Sequence, residues 1–144
     1  MKWITRERVK VDRVACPWLI KRFVDPAAEF LFVPRDDVLP RAQQEGAIPY
    51  DTPGAALYHR GDGCTFDAIL ADYKLTDPAL LRLAEIVRGA DVASQRGKFP
   101  EAACLEAIAT GFYLMERPDA DVLALEFPLY DALYLYCRQA VAPA

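Results

Sequence analysis

Thr65-Phe66-Asp67-Ala68-Ile69-Leu70-Ala71-Asp72-Tyr73 is the stretch on which the fold reading turns. Phe66, Ile69, Leu70 and Tyr73 recur at i, i+3, i+4 and i+7, the spacing of one buried helix face, with Thr65 as the expected cap. Downstream the same period continues. Asp77-Pro78 opens a helix with Leu80, Leu81, Ala84 and Val87 inward and Gly89 as its stop. Pro100 opens another through Leu105, Ile108, Phe112 and Met115, and a last one spans Asp119 to Gln139, with a bend or break expected at Pro128.

Upstream, the pattern shortens. Lys2 to Val9 alternates weakly and reads as strand-like, and Pro17 to Val24 carries Leu19, Ile20, Phe23 and Val24 as a helical stripe. Proline suits the first helical position and pushes its predecessor out of the α region, which makes Cys16 the expected N-cap. Glu29 to Val33, closed by Pro34, reads as a buried strand, and Asp36 or Asp37 caps a polar helix that Gly46 stops. Ala47 to Tyr50 and Ala56 to His59 are short strands around the Asp51-Thr52-Pro53-Gly54 turn, and with Glu29 to Val33 they are expected to form the sheet. The fold class is therefore α+β: residues 1–144 as a mainly helical single domain, about five or six helices beside a small sheet of about three strands.

The chain has 144 residues, 53% of them hydrophobic and 26% charged, which suits one globular core. A net charge of -4 gives no overall pull toward nucleic acid. The opening segment turns charged before an apolar signal region can form, and Val122 to Cys137 is interrupted by Glu126, Pro128 and Asp131. The expectation is a cytoplasmic protein with no membrane partner. Cys16, Cys64, Cys104 and Cys137 form no close pair and read as reduced thiols.

Two segments carry chemistry. A thiol at a helix start, with Arg13 and Arg22 nearby, would meet free amides and the positive end of the helix dipole; Arg13, Cys16 and Arg22 are thus a candidate oxyanion site. The alternative is a small buried cap with Arg13 paired to Asp12 or Asp25. The second segment, Tyr58 to Asp67, holds the single histidine in a glycine loop. His59, Cys64 and Asp67, with Asp91 beyond the next helix, are candidate ligands for a divalent metal ion of unspecified identity. Each also has an ordinary reading: a hydrogen-bonded histidine, a packed thiol, an aspartate favoured in a first helical turn. Asp131, among the tyrosines of the last helix, is a supporting residue that could orient a tyrosine, an arginine or His59.

Lys10-Val11-Asp12-Arg13-Val14-Ala15-Cys16-Pro17-Trp18-Leu19-Ile20, followed by Arg22-Phe23 and Asp25-Pro26, resembles the start of the C-terminal domain of ChrB-type chromate-resistance proteins. His59 through Asp67, Ile86-Val87-Arg88-Gly89-Ala90-Asp91 and Leu129-Tyr130-Asp131-Ala132-Leu133-Tyr134 are similar to later segments of that family. The resemblance implies a link to chromate resistance and, in full-length relatives, partnership with an N-terminal regulatory region in a chromate-responsive transcriptional regulator. It implies no nucleic-acid binding by this chain alone, and it transfers no catalytic mechanism. Three functions stay open: a sensing or accessory domain that binds a small oxyanion or a metal ion, a metal-dependent enzyme such as a hydrolase, and a structural or interaction module. A homodimer or a separate regulatory protein is the candidate macromolecular partner.

Overall fold

The structure is a computed structural model and describes residues 1–143. Strand β1 (Lys2–Arg6) lies at the centre of a three-stranded sheet, with β2 (Glu29–Val33) on one side and β3 (Ile48–Pro49) on the other. All pairings are parallel: Lys2 stands against Glu29 and Trp3 against Ile48. Parallel neighbours require crossovers. Helix α1 (Asp12–Leu19) links β1 to β2, and α2 (Val38–Glu45) links β2 to β3. The third sheet member is thus the opening stretch. The Ala56 to His59 segment makes only a single bridge, Leu57 to Tyr50, before Arg60 and Gly63 turn the chain back on itself.

The sheet is buried on both faces. Ile4, Leu31 and Val33 pack against Val38 and Ala42 of α2, while Trp3, Phe30, Phe32 and Ile48 face the main core. That core is built by α1, α3 (Thr65–Asp72), α4 (Pro78–Asp91), α5 (Pro100–Leu114) and α6 (Asp119–Val141). Helix α4 sits among α1, α3, α5 and α6 and carries its buried residues Leu80, Leu83, Ala84, Ile86, Val87 and Ala90 into their shared interior. Leu81, expected inward, is 49% exposed.

Three elements differ from their sequence reading. Helix α1 begins at Asp12, five residues before Pro17, so Cys16 is not a cap but a buried residue inside the helix. The entry is set by Val11, whose φ of +44° places a β-branched residue in a conformation that nothing in its side chain advertises. Val11 C=O then accepts from Val14 N–H at 3.0 Å and Ala15 N–H at 2.8 Å. Pro17 costs one intrahelical bond, and the next turn, Ile20–Val24, widens to a π-helix closed by Asp25 N–H to Ile20 C=O at 2.7 Å. Helix α4 passes Gly89 and ends at Asp91, and α6 continues unbroken through Pro128. At 23 residues α6 is about 34 Å long at 1.5 Å per residue. No helix among the described residues is long and apolar enough to cross a membrane.

Candidate functional site

The sheet is small, but its parallel order has a consequence: the loops leaving β1 and β3 emerge at the same edge. That carboxyl edge is where open parallel sheets commonly form their crevices. The loop after β1 delivers Asp12 and the second residue beyond β3 is Asp51, while the returning strand-like stretch delivers His59 and the end of α4 delivers Asp91. The four side chains converge. His59 Nε2 lies 3.3 Å from Asp51 Oδ1, 3.4 Å from Asp91 Oδ2 and 3.7 Å from Asp12 Oδ2.

Asp12 is fully buried and does two jobs. Its carboxylate accepts the Thr65 and Phe66 amides at 2.7 and 3.2 Å, filling the donor positions at the start of α3, and it accepts the Cys16 thiol at 3.2 Å. Thr65 Oγ1 donates to Asp51 at 2.7 Å, and Arg13 approaches Asp51 at 3.6 Å. Asp51 itself sits at φ +50°, a left-handed position that aspartate tolerates better than most residues.

Crowded carboxylates in a buried place resist ionisation. Burial first, then the charges of Asp51 and Asp91, hold the Asp12 carboxyl well above its usual range, against the opposing pull of its thiol and amide donors. Burial likewise raises Asp91. The hydrogen bond to Asp51 raises His59, with the Asp51, Asp12 and Asp91 charges adding to it and partial burial opposing. The cluster is therefore short of positive charge.

Asp12, His59 and Asp91 each offer a ligand atom, all within 4.8 Å of one another. The separations of 3.3 to 3.7 Å from Nε2 are close to the roughly 3.0–3.4 Å expected between neighbouring ligands around an ion bound at about 2.1 Å. Two carboxylates and one imidazole form a mixed hard and borderline donor set, and the Asp51 carboxylate lies beside it against the ring nitrogen.

Of the metal-ligand expectations, His59 and Asp91 meet here. Cys64 and Asp67 do not: they build the start of α3. Cys64, not Thr65, is the N-cap, and Asp67 Oδ2 accepts the Cys64 amide at 2.9 Å and its thiol at 3.3 Å. Arg88 of α4 grips Asp67 bidentately at 2.8 and 3.0 Å. Burial pushes the Asp67 carboxyl up, but Arg88 and the Cys64 donors outweigh it and hold it below the usual range.

The expected oxyanion set is dispersed. Arg13 donates to Arg8 C=O at 2.9 Å besides facing Asp51, whereas Arg22 forms a bidentate pair with Asp131 at 3.0 Å. Burial, with the neighbouring Asp12 and Asp51 charges, pushes the Cys16 thiol well up, the opposite of an activated thiolate. Asp131 also accepts Trp18 Nε1 at 2.8 Å, so it orients Arg22 and an indole rather than His59. Asp12 and Asp51 are the residues that sequence reasoning missed as site members. Their signal was positional, since both follow strands of a parallel sheet.

Residues 3–137 match the family described as ChrB, C-terminal domain. The chain belongs to the ChrB C-terminal domain family. It is 38% identical over 138 residues to Protein ChrB of Cupriavidus metallidurans, an alignment that takes in 94% of this chain and 40% of that relative. This ChrB C-terminal domain thus spans well under half the length of the curated relative it matches. No solved structure matches it.

Proposed function

We propose that this ChrB C-terminal domain binds a divalent cation through Asp12, His59 and Asp91, with Asp51 beside them, and serves as a sensing or accessory module in a chromate-resistance protein. The observation that supports it is the convergence of three carboxylates on one imidazole nitrogen, with separations of 3.3, 3.4 and 3.7 Å. A dication balances the charge. With a neutral His59, three carboxylates and Arg13 leave a deficit of two positive charges. An anion alone is disfavoured at this spot by the same carboxylates. The family membership supplies the chromate-resistance setting, and the longer relative supplies further chain for a signal to reach.

The test uses protein stripped with a chelator and titrated calorimetrically with Mn²⁺ and Zn²⁺. One equivalent should bind, and Asp91→Asn or His59→Ala should weaken it at least tenfold. Absence of binding at millimolar metal, or equal affinity in both variants, rejects the reading. A hydrolytic role has one supporting observation: the His59 side chain is 36% exposed, which leaves room for water on a bound ion. Metal-dependent turnover of an activated phosphoester, lost in Asp91→Asn, is the measurement that would favour it.

A further inference from the structure

Directly behind Asp91, a cavity of about 170 Å³ is lined by Lys10, Val11, Arg13, Ala90, Asp91, Arg96 and Glu106. It shares Asp91 with the cluster and Arg13 with Asp51, so it adjoins the candidate cation site through two side chains. Its volume equals about six waters at roughly 30 Å³ each, ample for one tetrahedral oxyanion.

Three cations face this space, and they differ in how far they are already partnered. Among the described residues Arg96 makes no side-chain hydrogen bond or ion pair; Lys10 has one carboxylate partner, Glu106, at 3.9 Å; and Arg13 reaches Asp51 only at 3.6 Å. Of the two acidic residues lining the cavity, Glu106 is paired with Lys10 and Asp91 is 3.4 Å from His59. Lys10 and Glu106 offset each other, so Arg13 and Arg96 stand against Asp91, and a cation in the cluster would cancel the Asp91 charge.

We propose that the cavity takes a small tetrahedral oxyanion, held by Lys10, Arg13 and Arg96, and that the oxyanion binds when a divalent cation occupies the Asp12–Asp51–His59–Asp91 cluster. This rests on the cation reading above. The cation removes a repulsion of a few ångströms' range and presents positive charge toward the cavity through Asp91. Linkage is reciprocal: an anion that binds better beside the cation raises the cation's affinity by the same factor. The two ligands then form one coincidence site.

Calorimetry with sulfate, at constant ionic strength in chloride, tests this on stripped and on Mn²⁺-saturated protein. Sulfate affinity should rise at least fivefold with Mn²⁺, within the usual span of coupling between sites. Arg96→Ala should abolish that rise while Mn²⁺ still binds in chloride, because Arg96 forms no hydrogen bond or ion pair with the four cluster residues. Arg96→Lys should retain part of it, which separates charge from a local folding defect. If Mn²⁺ does not bind, the cation reading falls and the coincidence site with it. If Mn²⁺ binds but sulfate affinity is the same with and without it, or the same in Arg96→Ala, the cavity holds an adventitious ion only and this inference alone is overturned.

Discussion

His59 stands where three carboxylates compete for one ring nitrogen, and its proton is the reporter of that competition. The Asp51 hydrogen bond raises its pKa above the ordinary 6.5, so protonated His59 stabilises the metal-free fold. That contribution is complete below the unfolded value and is lost as pH rises through the folded one. An NMR titration of the ring in stripped protein should give a midpoint above 6.5, and Asp51→Asn should bring it down. Asparagine suits this test because it tolerates the φ of +50° and keeps an acceptor for Thr65. A midpoint at or below 6.5 in the unmodified protein would mean that the carboxylates do not converge on the ring. Glu126 is the opposite case. It is 1% exposed, both carboxylate oxygens lack a partner, and burial raises its pKa to about 7. A carboxyl so raised costs stability as pH climbs from about 4.5 to 7, in all about 3 kcal/mol at roughly 1.4 kcal/mol per unit. Urea unfolding at pH 5 and pH 8.5 should reveal this slope, and Glu126→Gln should flatten it. The site's legibility also divides at this scale. The lone His59 drew notice by its rarity, and Asp91 by its place beyond the expected helix stop at Gly89. Asp12 and Asp51 were hidden, because an aspartate next to an arginine or in a Pro-Gly turn already has an ordinary explanation.

Elements were legible where caps and period agreed. Helix α4 opens at Pro78 with the Asp77 carboxylate accepting the Ala79 amide at 2.8 Å, as the Asp-Pro pair signals. Helix α1 was misread because Pro17 is a start signal only when nothing upstream holds the chain helical. Here Asp119 of α6 does so from a distance, accepting the Arg8 and Val9 amides at 3.1 and 2.8 Å and fixing the turn that precedes Val11. Gly89 was read as a stop for the usual reason, yet its role is packing. A Cβ at Gly89 would lie 2.8 Å from the Ala102 Cβ of α5, closer than two carbons can stand. Gly89→Ala gains up to about 1 kcal/mol of helix propensity but overpacks a contact worth about 1–3 kcal/mol, so a net loss is expected. The decisive measurement is a double-mutant cycle with Ala102→Gly, which should show at least about 1 kcal/mol of relief. Additive effects would mean that α4 and α5 do not meet at this pair. At the start of α3, Arg88→Ala leaves Asp67 bonded to the Cys64 amide but removes its bidentate partner. With both side chains about one quarter exposed, the expected loss is about 1 kcal/mol in chemical denaturation.

Over the whole molecule, the cluster draws on four segments between Asp12 and Asp91, and only the parallel order of the sheet sends Asp12 and Asp51 to one edge. Strand direction is a property of topology that local periodicity does not encode, which is why the helical mass was readable and the centre of the site was not. The same architecture sets how a ligand should act on stability. The main core, from Trp3 through Trp18 and Leu83 to Tyr130, closes without the cluster, so stripped protein should remain folded. Saturating metal then adds only its mass-action term, about 2.7 kcal/mol when free metal is 100 times Kd. At roughly 3 °C per kcal/mol for a chain of 144 residues, this corresponds to a rise in Tm of about 8 °C. Asp91→Asn, at the rim, should fold normally and lose the rise. Asp12→Asn should lower Tm before any metal is added, since its carboxylate also closes the amino end of α3 and receives the Cys16 thiol. An equal metal-induced rise in the unmodified protein and Asp91→Asn would place any bound ion elsewhere on the molecule.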